Sequence, residues 1–257
     1  MRRSIRAFAG VIVVAATAQI PTSAALQLHV IRSGGFGAAY DELLPLFERT
    51  TGINTVTATG GSQGSGPTTI GAQLRRGVPA DVVILSKEGL EELVAEGRIV
   101  PNSRVDLAQT PLGLAVRQGA AKPDIASVEG FKRTLLRAKS ITFPTSTTGL
   151  WMTEKLFPRL GISDEMKKKY VSGGVAAVGR GTAEIAIQPV SEILHVNGTD
   201  FVGALPADVQ FMSVFSAAVV AGTTELDAAK RMIAFFASAE AAAAVRHAGM
   251  EPLQGRH

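Results

Sequence analysis

An apolar strand, Leu26-Gln27-Leu28-His29-Val30-Ile31, runs through Arg32-Ser33-Gly34-Gly35-Phe36-Gly37 into an amphipathic helix spanning Ala38 to Thr50. Tyr40, Leu43, Leu44, Leu46 and Phe47 mark the buried stripe of that helix. A glycine-rich turn between strand and helix presents backbone N–H groups at the positive end of the helix, with no side chain to block an incoming anion. The same arrangement returns at Gly60 to Thr69 and at Pro144 to Gly149. A single turn of this kind implies only a tight bend. Three in one chain point to an anion receptor.

Strands and helices alternate along the chain, the pattern of an α/β protein with mixed, mainly parallel sheets flanked by helices. Strands are expected at 26–32, 53–58, 81–85, 111–117, 139–143, 183–187 and 209–221. Helices are expected at 37–50, 68–76, 87–96, 126–137, 149–160, 174–180, 189–194, 224–237 and 239–247. Two extended segments, near 105–116 and 209–220, look like crossings between lobes. They divide the chain into one lobe of 26–106 plus 213–257 and a second of 107–212. A small ligand is then expected between the lobes, facing the carboxyl ends of the strands.

Residues 1–25 read as a leader. Arg2, Arg3 and Arg6 form a basic start, Ala7 to Ala18 an apolar core, and Pro21-Thr22-Ser23-Ala24-Ala25 a cleavage zone. The apolar core falls short of the about 20 residues a bilayer span needs. A periplasmic protein, released after cleavage, is the expectation. Of 26 Lys and Arg, those three arginines leave with the leader, so 23 remain against 22 Asp and Glu. A balance so near zero argues against nucleic acid. The chain has no cysteine, which excludes disulfides, zinc-thiolate sites and cysteine nucleophiles. His29, His195, His247 and His257 show no paired metal spacing, and no complete nucleotide-binding glycine motif occurs. No metal or cofactor is expected. Gly60-Gly61-Ser62-Gln63-Gly64 matches the nucleophile elbow of serine hydrolases, but Ser65, Gly66 and Pro67 intervene before any helix. The hydrolase is a remote alternative.

Four segments carry a resemblance: Ser33-Gly34-Gly35-Phe36-Gly37-Ala38-Ala39-Tyr40, Gly77-Val78-Pro79-Ala80-Asp81-Val82-Val83, Thr147-Thr148-Gly149 and Gln188-Pro189-Val190-Ser191-Glu192. In order and spacing the chain resembles the periplasmic molybdate-binding-protein family, type II solute-binding proteins of ABC importers. The resemblance runs from Leu26 to about Leu253. It implies a two-lobed type II periplasmic binding fold, a monomer, and a permease as possible partner. It also implies an oxyanion held by neutral donors alone. Matched motif to motif, the family's first serine falls on Gly35, with Ser33 and Gly34 beside it, and its second on Thr68. The loop amide falls on Thr148, next to Thr147. The amide before the next helix falls on Val171 or Ser172. The tyrosine falls on Pro189, beside Gln188. Gly35 and Pro189 therefore lack the hydroxyl, and the Gly60 to Pro67 loop is longer than the family's turn. These departures point to a roomier site and a larger anion, an organic carboxylate.

The sub-pattern of Ser-Gly-Gly-Phe early and Gln-x-Val-Ser-Glu late is also similar to the periplasmic aconitate isomerases, enzymes on the same fold. A polycarboxylate calls for a cation, and Arg32, at the carboxyl end of the first strand, is the candidate. The equal alternative for Arg32 is a place on the surface or a pairing with an acid. Moving a proton along an allylic acid needs a base, for which Tyr40 and Glu192 are candidates. Each also has a structural reading: core packing for Tyr40, and helix-dipole balance for Glu192. Capture of a small anion for import is the primary reading, and isomerisation of aconitate the alternative.

Overall fold

The computed structural model describes residues 26–253, so the leader expected at 1–25 lies outside the described residues. The chain begins with β1 (Gln27–Arg32), one turn of 3-10 helix at Gly34–Phe36, and α1 (Gly37–Thr51). β2 (Asn54–Thr59), α2 (Ile70–Arg75), β3 (Val82–Ser86) and α3 (Lys87–Ala95) follow. β1 lies parallel to β2 on one side, with Gln27 opposite Asn54, and to β3 on the other, with Val30 opposite Val82. Because side chains alternate along a strand, Leu28 and Val30 face α1, where Ala39, Tyr40, Leu43 and Phe47 cover them. Ile31 faces the other way, into Ile70, Leu74, Leu90 and Leu93. Both faces of the sheet are thus covered by helices.

The Gly-Val-Pro-Ala-Asp motif pins this lobe at the opposite end from the glycine turns. Asp81 accepts the His29 N–H at 2.7 Å and the Thr223 hydroxyl at 2.6 Å, tying β3 to β1 and to the chain returning from the second lobe.

β4 (Val105–Arg117) crosses between the lobes. Its first half is antiparallel to β8, with Val105 opposite Ala217 and Pro111 opposite Met212. Its second half is antiparallel to β6, with Leu112 opposite Pro189. Register shifts at Asp106/Ala108 and at Leu114/Ala115 bend it on the way. The second lobe carries α4 (Val128–Arg137), β5 (Ile141–Thr142) and α5 (Thr147–Trp151), the last running through a π-helical turn at Met152–Leu156 into α6 (Phe157–Leu160). After these come α7 (Ser163–Lys169), α8 (Gly174–Gly179), β6 (Ile185–Pro189), a 3-10 turn at Val190–Glu192, and β7 (Thr199–Ala204). Ile185 and Ile187 of β6 point into one core layer with Leu112 and Phe131, while Ala186 points into the other with Val175 and Val178.

β8 (Met212–Val219) returns between β3 and β4, giving the strand order β2-β1-β3-β8-β4-β6-β5. α9 (Leu226–Phe236) and α10 (Ala242–His247) then pack back on the first lobe, and β9 (Glu251–Pro252) closes on β4. Phe236 meets Tyr40 edge-on at 5.5 Å between ring centroids.

The sheet is mixed as expected, but antiparallel pairings outnumber parallel ones. The reason is that β4 and β8 each run against all the partners they meet. The helix expected at 189–194 is a single 3-10 turn, and the strand expected at 139–143 is only two residues long. Periodicity does not mark α7, β7 and β9, which are short and weakly patterned.

Candidate functional site

The carboxyl ends of β1, β2, β3, β5 and β6 converge where the lobes meet, around a cavity of about 140 Å³. The first lobe contributes the β1–α1 turn (Ser33, Gly34, Gly35), the start of the long loop after β2 (Gly60, Gly61, Ser62), Ser86 at the end of β3, and Ser213 and Phe215 of β8. The second contributes Pro144, Ser146, Thr147 and Thr148 at the start of α5, and Pro189 and Glu192 at the end of β6. A larger depression of about 540 Å³ lies at the opposite ends of β1 and β3. Its charged groups are already engaged: Asp81 as above, and Glu96 with Arg75 and Arg98.

Hydroxyls cross the lobe boundary. Ser86 Oγ and Thr147 Oγ1 lie 2.7 Å apart, and Ser146 Oγ accepts the Gln63 N–H at 3.1 Å. Ser62 Oγ accepts the Ser86 N–H at 3.0 Å. Ser33 donates its N–H to the Ile84 carbonyl at 2.8 Å, while its buried Oγ has no hydrogen-bond partner. Two glycines permit close approach here. A Cβ on Gly35 would stand 1.9 Å from Cζ of Phe215, and one on Gly34 would stand 2.9 Å from Oε1 of Glu192. These contacts explain why Gly35 carries no hydroxyl: the Phe215 ring occupies the space.

Among the described residues no lysine, arginine or histidine lines the cavity, and the one ionisable group there is Glu192. Burial pushes the Glu192 carboxyl above its ordinary value, partly offset by Gln188, whose Nε2 donates to Oε2 at 2.6 Å. Gln188 in turn accepts the Val175 N–H at the start of α8.

Of the residues singled out in sequence, Ser33, Gly34, Gly35, Thr147, Thr148 and Glu192 meet at this cavity, with Gln188 directly behind Glu192. Arg32 does not. Following Leu28 and Val30 on the α1 face of β1, it bonds Asp41 at 2.8 and 3.1 Å and lies 5.4 Å over the Tyr40 ring. Tyr40 is likewise away from the cavity, buried with its hydroxyl 2.6 Å from Thr57 Oγ1. Thr68 is exposed, and its neighbour Thr69 caps α2 by accepting the Ala72 N–H. Val171 spends its N–H on the Ile141 carbonyl at 2.8 Å, and Ser172 is exposed.

Ser62 takes the place expected of Thr68. Ser62 reaches the cavity from the start of the Gly60 to Pro67 loop, six residues before Thr68. Ser86 ends a strand, as Ser33 follows one, but no glycine-rich turn marks Ser86 in the sequence. It does cap α3, accepting the Gly89 N–H at 3.2 Å, and faces the cavity as well. Ser213 and Phe215 sit at alternate positions of a crossing strand, where no local motif marks them.

A family model described as bacterial extracellular solute-binding protein matches residues 28–251. An aconitate isomerase from Pseudomonas sp is 35% identical over 248 residues, 95% of each chain. The molybdate-binding protein ModA of Azotobacter vinelandii is 25% identical over 177 residues, 66% of this chain and 67% of its own. Among solved structures, the periplasmic molybdate-binding protein of Azotobacter vinelandii superposes with a TM-score of 0.69 at 22% identity, covering 87% of this chain and 98% of that one. The sulfate-binding protein SubI of Mycobacterium tuberculosis H37Rv gives 0.65 at 19% identity, over 89% and 87%. Among the described residues no helix is long and apolar enough to cross a membrane. With a two-lobed α/β fold, a cleft at the carboxyl ends of its strands and a match along nearly its whole described length, the chain belongs to the bacterial extracellular solute-binding proteins.

Proposed function

We propose that the chain closes its lobes over a small organic carboxylate and interconverts cis- and trans-aconitate there. The observation that carries this reading is Glu192. A receptor meant only to hold an anion loses affinity by keeping a carboxyl in its cavity with no cation to balance it. A carboxyl with a raised pKa is instead suited to take and return a proton near neutral pH. The 35% identity to an aconitate isomerase along 95% of both chains supports the same reading.

The step balances without a cofactor. The Glu192 carboxylate takes a proton from the methylene carbon of aconitate, breaking a C–H bond and forming an O–H bond. The electron pair left behind spreads over the allylic carbons into the attached carboxylates. Neutral donors receive that charge: the hydroxyls of Ser33, Ser62, Thr147 and Thr148, and the N–H groups of the glycine turns. Glu192 then gives the proton to the other end of the allylic unit, and the double bond re-forms one position along. Ser33 is suited to its part because its buried oxygen has no partner within the protein.

Two lobes of 26–106 plus 213–257 and 107–212, joined by β4 and β8, would hinge about those strands as the cleft opens. The chain acts as a monomer in the periplasm after loss of a leader at 1–25. The experiment is direct: incubate the purified protein with cis-aconitate or trans-aconitate and follow interconversion by proton NMR. Binding of di- and tricarboxylates is read alongside as a rise in melting temperature, about 2.7 kcal/mol of stabilisation at a hundredfold excess over Kd. Stabilisation by carboxylates without turnover would favour a second reading, supported by the family match, in which the captured carboxylate is delivered to an ABC-importer permease. Stabilisation by molybdate alone would overturn both.

A further inference from the structure

Glu192 has two oxygens, and they are not equivalent. The Val175 N–H can only donate, so the oxygen of the Gln188 side-chain amide must face it. This fixes the amide's orientation. Its Nε2 then has to point at Glu192, where it donates to Oε2 at 2.6 Å. The backbone is shaped for this contact: Gly173 and Gly174 both adopt positive φ, and a Cβ on Gly174 would come within 2.9 Å of the Gln188 oxygen. The remaining oxygen, Oε1, faces Gly34 across the lobe boundary.

Resting on the proton-transfer reading of Glu192, we infer that Gln188 is a positioning residue that reserves Oε1 for the proton. A proton on Oε2 would confront the Nε2–H of Gln188, donor against donor, and forfeit that hydrogen bond. On Oε1 it leaves the bond intact and lies on the side that faces the first lobe. In the carboxylate form the same constraint leaves the free lone pairs on Oε1. The bond formed to the substrate proton and the bond broken on its return therefore involve one atom, at a place set by the start of α8 through Gln188. Nearby charges do not compete for this role. On α1, Asp41 is held by Arg32 and Glu42 by His247; on β4, Asp106 is held by Arg104. Neither Pro189 nor the Ser33–Gly35 turn brings a titratable side chain.

The test uses the full chain with 13C-labelled glutamate and 15N-labelled glutamine side chains, the Glu192 and Gln188 signals being assigned by Glu192→Gln and Gln188→Met. In the wild-type protein the Gln188 side-chain amide signals should shift with the same midpoint as the Glu192 carboxyl. In Gln188→Met, close in volume but without the amide, the Glu192 midpoint should move up. Turnover of aconitate should then fall in kcat by about 10²-fold, with KM changed far less, because the base is no longer aimed. Gln188 signals indifferent to the Glu192 titration, or a Glu192 midpoint unmoved in Gln188→Met, would overturn the inference. The first of these is read on the wild-type protein, and neither needs a substrate. Failure of the wild-type protein to isomerise aconitate therefore bears on the isomerase reading alone.

Discussion

Asp106 and Glu192 are two carboxyls beside the strands that join the lobes, and their surroundings treat them in opposite ways. Asp106, where β4 enters the crossing, receives Arg104 Nε at 2.8 Å, Arg104 Nη2 at 3.0 Å and the Ser216 hydroxyl at 2.6 Å. Burial alone would raise its pKa, but those hydrogen bonds and the Arg104 charge outweigh burial and hold it below its ordinary value of 3.8. Glu192 receives a single neutral amide and no cation, so burial prevails and its pKa stands above its ordinary value of 4.5. The Asp106 cluster is internally complete and holds the crossing together. The Glu192 site is electrostatically incomplete, the condition that the proposed proton transfer calls for. The comparison also assigns opposite pH dependences. Asp106 contributes stability present above 3.8 and lost as pH falls through its lowered pKa. Glu192 contributes stability present below 4.5 and lost as pH rises through its raised one.

The largest effect should come from Glu192→Gln, which keeps the shape and removes the proton carrier. Aconitate interconversion should fall by about 10²- to 10⁴-fold. Carboxylate binding should persist or tighten, because a charge facing the anion is gone. The loss of stability between acid and neutral pH should shrink in the same variant, as read by melting temperature across that range. Full turnover with Glu192→Gln would assign the proton transfer elsewhere.

Gly35→Ala comes next. Its new methyl would meet the Phe215 ring at 1.9 Å, a contact neither backbone nor aromatic ring can absorb in place. Overpacking of this kind costs about 1–3 kcal/mol, and here it falls on the cavity wall, so ligand affinity should drop together with melting temperature. Phe215→Leu in the Gly35→Ala background should restore part of both. If Gly35→Ala melts and binds normally, Phe215 does not fill that space in solution.

Much of this arrangement is legible in the sequence. Alternating periodicity located the strands that carry the cavity turns, because a buried parallel strand must be apolar and a turn beside an anion must be bare. The extended segments expected near 105–116 and 209–220 correspond to β4 and β8. What escaped was longer-range. Arg32 and Ser33 are adjacent, and only the pleat decides which points into the cleft. Leu28 and Val30 on the α1 face place Arg32 there too, a parity argument available from the sequence. The strand expected at 111–117 starts six residues earlier, at Val105, because that part pairs with β8, and Ser216 becomes a partner of Asp106 only once β8 has returned. Ser62 lies in a long loop whose path no periodicity records. Ser213 and Phe215 depend on strand register between lobes, which is a property of the whole sheet.

Asp106→Asn tests the structural side of the comparison at a smaller scale. It keeps the shape but removes the charge that Arg104 grips, and because both partners retain solvent contact the cost should be about 1–2 kcal/mol. It should be seen as a lower melting temperature at neutral pH, with the gap closing as the pH falls below 4, where the wild-type aspartate also loses its charge. Ligand affinity should be unchanged. A variant that melts normally but binds poorly would make the Asp106 cluster part of the binding apparatus, and the contrast with Glu192 would fail.

The smallest effects discriminate the hydroxyls from the arginine. Ser62→Ala removes a neutral donor at the cavity and should weaken carboxylate binding by about 0.5–1.5 kcal/mol, roughly two- to tenfold. Thr68→Ala, at an exposed position outside the cavity, should leave affinity within a factor of about two. Arg32→Ala should do the same, since its guanidinium is committed to Asp41 and Tyr40 on the far face of β1. Its cost should appear instead in stability, and should not exceed about 1 kcal/mol because Asp41 is largely exposed and the pair is screened by water. Calorimetric titration of the three variants with one tricarboxylate decides the matter. If Arg32→Ala alone abolished binding, Arg32 would have to leave Asp41 and swing past Ser33 into the cleft when the ligand enters. The cavity would then own a cation after all. In that case the raised pKa of Glu192 would describe only the ligand-free cleft, and a resident charge pair, rather than an isolated proton carrier, would have to explain how this site handles a carboxylate.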